Sequence, residues 1–240
     1  MTMRLRRPIP PSPSCLLPFA FALIGCVAQA PVEAYTPAAA ADAAAPAACK
    51  FGAFVQEDDP AGLNVRDAPG AQGRILGTLP PTLHAAGEFK LDVRVEVEVV
   101  GAKDGWLRVA HAQDNEALTG SPARATYPGE GWVSGRKLTV KSQATRGYAA
   151  PGATAPVVMR FTDDESFDGD EMVAAGRLLA CKGTWAQVEF SESALSAATR
   201  KRLSLQPEAR AGVPPGRFRA WLNQICAVQE TTCDGLEADD

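Results

Sequence analysis

Six cysteines, two histidines, four tryptophans and one dense acidic run are the residues of this 240-residue chain best suited to chemistry. A cysteine nucleophile needs a histidine close enough to hold its thiolate. His84 and His111 both fall in Pro/Gly- and polar-rich stretches of the first half, which is expected to place them in loops. A zinc site needs C-x-x-C or comparable Cys/His spacing, and the chain has neither. No GxSxG, HExxH or phosphate-cradling glycine loop occurs. The run Asp163-Asp164-Glu165-Ser166-Phe167-Asp168-Gly169-Asp170-Glu171 offers oxygen ligands for calcium, but without the EF-hand spacing it reads as a solvated loop. Trp106, Trp132, Trp185 and Trp221 could stack on a ligand or pack in a core. Packing is the expected role, and Trp106 is expected to hold the core of the first half. The chain is therefore expected not to be an enzyme, with no cofactor, no metal and no catalytic residue.

The segment before these residues reads as targeting. Arg4, Arg6 and Arg7 precede an apolar run of 11 residues, Cys15–Gly25, too short to span a membrane as a helix. The run ends Leu23-Ile24-Gly25-Cys26, which resembles the lipobox of bacterial lipoprotein signal peptides. That resemblance implies that Cys26 becomes the lipidated first residue of the mature chain. Cleavage after Ala28-Gln29-Ala30 is the competing expectation, weakened by Pro31 directly after it. Twin-arginine export is disfavoured by Pro8 and Pro10. Residues 27–48 hold 12 Ala and 3 Pro among 22 residues with almost no bulky hydrophobes, the texture of a linker. Without residues 1–25 the chain has 21 basic and 28 acidic residues. An acidic body of this kind argues against nucleic acid as a partner.

Export also explains the cysteines. Cys49, Cys181, Cys226 and Cys233 remain after the leader and the lipid site, an even number for an oxidising compartment, and disulfides are expected. Four cysteines allow three pairings, and the sequence leaves all three open. Cys226 and Cys233 are near enough for a local loop. Three of the four lie beyond residue 180, so crosslinking is expected to matter most in the second half.

From Lys50 the chain turns into short strand-like runs between Gly/Pro turns. Val93, Val95, Val97 and Val99 alternate with charges, so one face of that strand should be buried and the other, including Arg94, wet. Four blocks carry a family resemblance: Leu63-Asn64-Val65-Arg66-Asp67-Ala68-Pro69-Gly70, Ile75-Leu76-Gly77-Thr78-Leu79, Gly105-Trp106-Leu107-Arg108-Val109 and Gly131-Trp132-Val133. In order and kind they resemble the bacterial SH3 domain. Asp67-Ala68, the stretch Pro80–Asp92 and the insertion His111–Pro128 depart from that pattern. The second half echoes it: Pro151 answers Pro69 at an offset of 82, Trp185 answers Trp106 at 79, and Trp221 answers Trp132 at 89. Arg146-Gly147-Tyr148 stands where the LNVR block would be. A serine followed by helix formers between Ser193 and Gln206 suggests a short helix there.

The expected fold is mainly β, with two small antiparallel SH3-like barrels in tandem, the second carrying the short helix. The expected organisation is a signal peptide (1–25), an Ala/Pro-rich linker (26–48), a first barrel (49–141), a degenerate second barrel (142–235) and an acidic tail (236–240). The resemblance implies a lipid-anchored protein of the cell envelope facing the periplasm, at the outer membrane, that binds peptidoglycan or an envelope protein. The alternative is a regulator or inhibitor docking onto a periplasmic enzyme.

Overall fold

The computed structural model describes residues 45–84, 92–119 and 121–229. They are mainly β and antiparallel. The first nine strands are β1 (Ala47–Val55), β2 (Leu63–Arg66), β3 (Ile75–Leu79), β4 (Leu83–His84), β5 (Asp92–Val93), β6 (Glu96–Lys103), β7 (Trp106–Gln113), β8 (Gly131–Ser134) and β9 (Leu138–Thr139). The other six are β10 (Arg146–Tyr148), β11 (Val157–Phe161), β12 (Gly176–Lys182), β13 (Trp185–Ser191), β14 (Leu203–Leu205) and β15 (Arg217–Leu222). Three short helices join them: α1 (Glu116–Thr119), α2 (Asp170–Ala175) and α3 (Ala197–Arg202).

Seven strands form one sheet in the order β3-β2-β8-β7-β6-β1-β9, and six form another in the order β12-β13-β15-β10-β11-β14. Neither sheet closes on itself. Period-two patterning sets their inner faces. Ala186, Val188 and Phe190 of β13 meet Phe218, Ala220 and Leu222 of β15 with every one of these side chains buried. Leu107 and Val109 of β7 do the same for the first sheet, and side chains of both sheets join one core cluster. Local turns follow the sequence. Asp104 and Gly105 both take positive φ, which suits the tight β6–β7 hairpin. The Ser196 side chain accepts from the Thr199 N–H and caps α3, inside the window where a helix was expected.

Two expectations change. The valine strand is broken, because Arg94 and Val95 separate β5 from β6. Arg94 is 5% exposed instead of wet; its Nη2 donates to Asp92 Oδ2 at 2.9 Å, and its backbone N–H donates to Gln229 Oε1 at 2.8 Å. Burial pushes that guanidinium below its ordinary value. The alternation is a local signal and carries no trace of the C-terminal Gln229 that returns to bond this arginine's backbone. The histidines also sit on strands, His84 in β4 and His111 in β7.

The Cys49–Cys181 disulfide fastens β1 to β12 across 132 residues. Beside it, the Lys50 N–H donates to the Gly183 carbonyl and the Gly183 N–H to the Ala48 carbonyl, both at 2.9 Å. The crosslink therefore joins the two halves of the chain. Cys226 is disulfide-bonded as well. Cys26 and Cys233 lie outside the described residues, as do the leader and the acidic tail.

The insertion after β7 is pinned by a buried carboxylate. Asp114 is fully covered and accepts from Arg124 Nε at 2.9 Å and Nη2 at 2.6 Å, while Arg124 Nη1 donates to the Pro81 carbonyl at 2.6 Å. The Arg124 side chain holds the Asp114 carboxyl below the usual range. Its contribution to stability is present above the unfolded value of about 3.9 and is lost as pH falls through the lower folded value. Asp114→Asn should cost about 1.5–3 kcal/mol at neutral pH, in line with hydrogen bonds to charged groups. The acid limb of its stability curve should also flatten, which urea titrations between pH 2 and 7 would measure.

Candidate binding face

The face of the second sheet turned away from the core is built by the residues between the buried ones. On β15 these are Arg217, Arg219 and Trp221, and on β13 they are Trp185, Gln187, Glu189 and Ser191. Register aligns them into rows. Tyr148 of β10 stands opposite Val157 of β11 and Trp221 of β15; Trp221 stands opposite Gln187, and Gln187 opposite Ala180 of β12. The central row therefore reads Val157, Tyr148, Trp221, Gln187, Ala180. Trp185 sits two residues from Gln187 and meets Tyr148 edge-on, with ring centroids 5.4 Å apart at 81°. Tyr148, Trp185 and Trp221 are all partly exposed, and Val157 is 37% exposed. Amphipathic rings so placed offer apolar area to a partner while staying held by the sheet.

The first sheet has an equivalent row that is closed. Ile75 of β3 stands opposite Arg66, Arg66 opposite Trp132, Trp132 opposite Arg108, and Arg108 opposite Gly101. The positions match Val157, Tyr148, Trp221, Gln187 and Ala180 strand for strand. Arg66 and Arg108 are the register neighbours of Trp132, which is only 8% exposed. Both arginines are engaged, Arg66 with the Gly73 carbonyl at 2.6 Å and Arg108 with Glu130. The second sheet has Tyr148 and Gln187 at the positions of those arginines, and its Trp221 is partly exposed.

The tryptophans thus divide. Trp132 is buried, whereas Trp106, Trp185 and Trp221 are partly exposed on outer faces. The expectation that Trp106 is a core residue is corrected: it stands opposite Ser134 and Lys103, outside the core cluster, while its neighbour Leu107 is fully buried. Trp106→Ala should consequently cost on the order of 1 kcal/mol, well below the ~3–5 kcal/mol of a packed tryptophan. Thermal melts of this variant beside Leu107→Ala, for which ~2–5 kcal/mol is expected, would check the assignment.

Other groups singled out by type are engaged elsewhere. His84 lies between two carboxylates, with Nδ1 2.7 Å from Asp92 and Nε2 3.4 Å from Asp58, and the Asp92 hydrogen bond raises its pKa. His111 pairs with Glu98 at 2.7 Å. In the acidic run, Arg202 takes up Asp163 and Glu165, and the Ser196 N–H donates to Glu171. Among the described residues no cluster of three or more His, Cys, Asp or Glu side chains is arranged to hold a metal. Sequence reasoning missed Tyr148 and Gln187 as partners of the tryptophans. The offset of about 80 residues that links Trp106 to Trp185 also links Arg66 to Tyr148 and Arg108 to Gln187, and was the available signal. Comparison of the chain with family models, curated proteins and solved structures finds no match.

Proposed function

We propose that this chain is a non-catalytic envelope lipoprotein, anchored through Cys26, whose tandem SH3-like units bind the cell wall or an envelope protein. The observation that carries the binding reading is the open aromatic row of the second sheet, Tyr148 and Trp221 with Trp185 beside it. Rings left partly exposed in register on a sheet face are the pattern of a contact surface, since aromatic residues are enriched at the cores of interfaces. Support for the tandem reading comes from the two sheets: β3-β2-β8-β7-β6 and β11-β10-β15-β13-β12 run in the same order, and their outer rows correspond. Support for a periplasm-facing location comes from the lipobox-like ending at Cys26 and from the Cys49–Cys181 disulfide, a bond characteristic of oxidising compartments.

Sedimentation of the full chain with purified peptidoglycan tests the binding reading: retention supports it, and recovery in the supernatant alongside a failed envelope pulldown overturns it. The anchor has its own test. Cys26→Ser should move the protein from the membrane to the soluble fraction, because lipid burial of about 0.8 kcal/mol per methylene is lost. Unchanged partitioning on fractionation would remove the anchor from the proposal.

A further inference from the structure

The rows on either side of the aromatic one are cationic. Arg146 of β10 stands directly opposite Arg160 of β11, and Lys182 of β12 stands opposite Trp185. All three cations are exposed and make no ion pair with a described residue. On the other side, Arg177 stands opposite Glu189, and Arg217 and Arg219 share that one buried carboxylate, at 3.0 and 3.6 Å. Arg219 also keeps a buried Nε without a partner. Arg177 is turned to the Ala174 and Gly176 carbonyls. The rows named thus hold six cations against one acid in a chain whose formal charge is −4. Like charges directly opposite across a ladder oppose each other, so the Arg146–Arg160 pair is unfavourable in the free protein.

From this charge pattern we infer that the outer face of the second sheet binds a carboxylate-bearing polysaccharide strand. The inference rests on the binding reading above and gives its surface a ligand class. An open sheet face encloses nothing, which suits an extended polymer better than a small molecule held in a cleft. Sugar rings present apolar C–H faces to Trp185, Trp221 and Tyr148. Gln187, with both donor and acceptor capacity, lies within the same row for hydroxyl groups. Carboxylates along the strand meet Arg146, Arg160 and Lys182, where an arginine fork can bind bidentately. Single-stranded nucleic acid also favours aromatic and basic surfaces. The acidic chain and the disulfide of an oxidising compartment place it second.

Affinity electrophoresis of the full chain through native gels containing polygalacturonate, neutral dextran or no polymer tests the inference. The expected result is retardation by polygalacturonate alone, weakened by raising the salt. Arg146→Gln/Arg160→Gln should lose at least tenfold in affinity while melting at or above the parent temperature, because the opposed charges are gone. Equal retardation by dextran, an unchanged affinity in that variant, or tighter binding of oligo(dT) in a parallel titration would overturn it. Retention on peptidoglycan without any retardation by polygalacturonate would overturn this inference and leave the binding reading standing. Retardation by polygalacturonate without wall or envelope binding would do the reverse.

Discussion

Replacing Cys49 and Cys181 together by alanine should lower the stability of the protein by about 3–5 kcal/mol. The bond closes a loop of 132 residues, and chain-entropy stabilisation grows slowly with loop length, so a long loop lies toward the upper end. For a body of this size that corresponds to a fall in Tm of roughly 10 °C. The site of the crosslink determines how the loss is distributed. It joins β1 to β12, next to the backbone pairing of Lys50 and Ala48 with Gly183, so both sheets should feel its removal. Further links hold the halves together: the Cys226 N–H donates to the Lys141 carbonyl, and Thr139 Oγ1 donates to the Val173 carbonyl at 2.5 Å. Near-ultraviolet circular dichroism and calorimetry of the double variant should therefore show a single lowered transition. Two separated transitions would mean that the sheets are independent domains, and a melt within two degrees of the parent would mean that the crosslink contributes little.

Phe218→Ala is expected to be comparably damaging for a different reason. Phe218 is fully buried near the start of β15 and stacks on Phe190 of β13, with centroids 5.2 Å apart and planes at 17°. Removing a buried phenylalanine side chain costs ~3–5 kcal/mol through lost transfer and the cavity left behind. The lost ring pair adds about 0.5–1.5 kcal/mol to that. β15 is flanked by β13 and β10, so a cavity beneath it disturbs the strand that carries Trp221. Urea unfolding should show the lowered midpoint. A midpoint shift worth less than about 1 kcal/mol would contradict the assignment of this core.

Those effects depend on features that the sequence reveals unevenly. The alternation of Val97 and Val99 with Glu96 and Glu98 is visible because neighbouring residues on a strand point to opposite faces, and the structure keeps it. The same rule, applied to Trp106-Leu107-Arg108-Val109, puts Trp106 on the arginine side of the strand and Leu107 in the core. The pull of a motif tryptophan toward the interior hid this. Arg94 was out of reach, because its backbone N–H bonds to Gln229, 135 residues away. The pairing of Cys49 with Cys181 was equally illegible, since it follows from how β1 meets β12. The binding face lies between these cases. Its tryptophans stand out by spacing, but Tyr148, Arg146 and Arg160 join them only through the register of β10 with β11 and β15.

If the open aromatic row, and not its counterpart around the buried Trp132, is the contact surface, the two rows should respond differently to a ligand. The four tryptophan indole N–H signals of the full chain, assigned by single substitution, give one probe on each position. Titration with solubilised peptidoglycan fragments, followed by proton–nitrogen correlation spectra, reads all four at once. The account predicts that the Trp185 and Trp221 signals shift together in a saturable manner while Trp132 stays in place. Saturable shifts at Trp132 with Trp185 and Trp221 unmoved would contradict it.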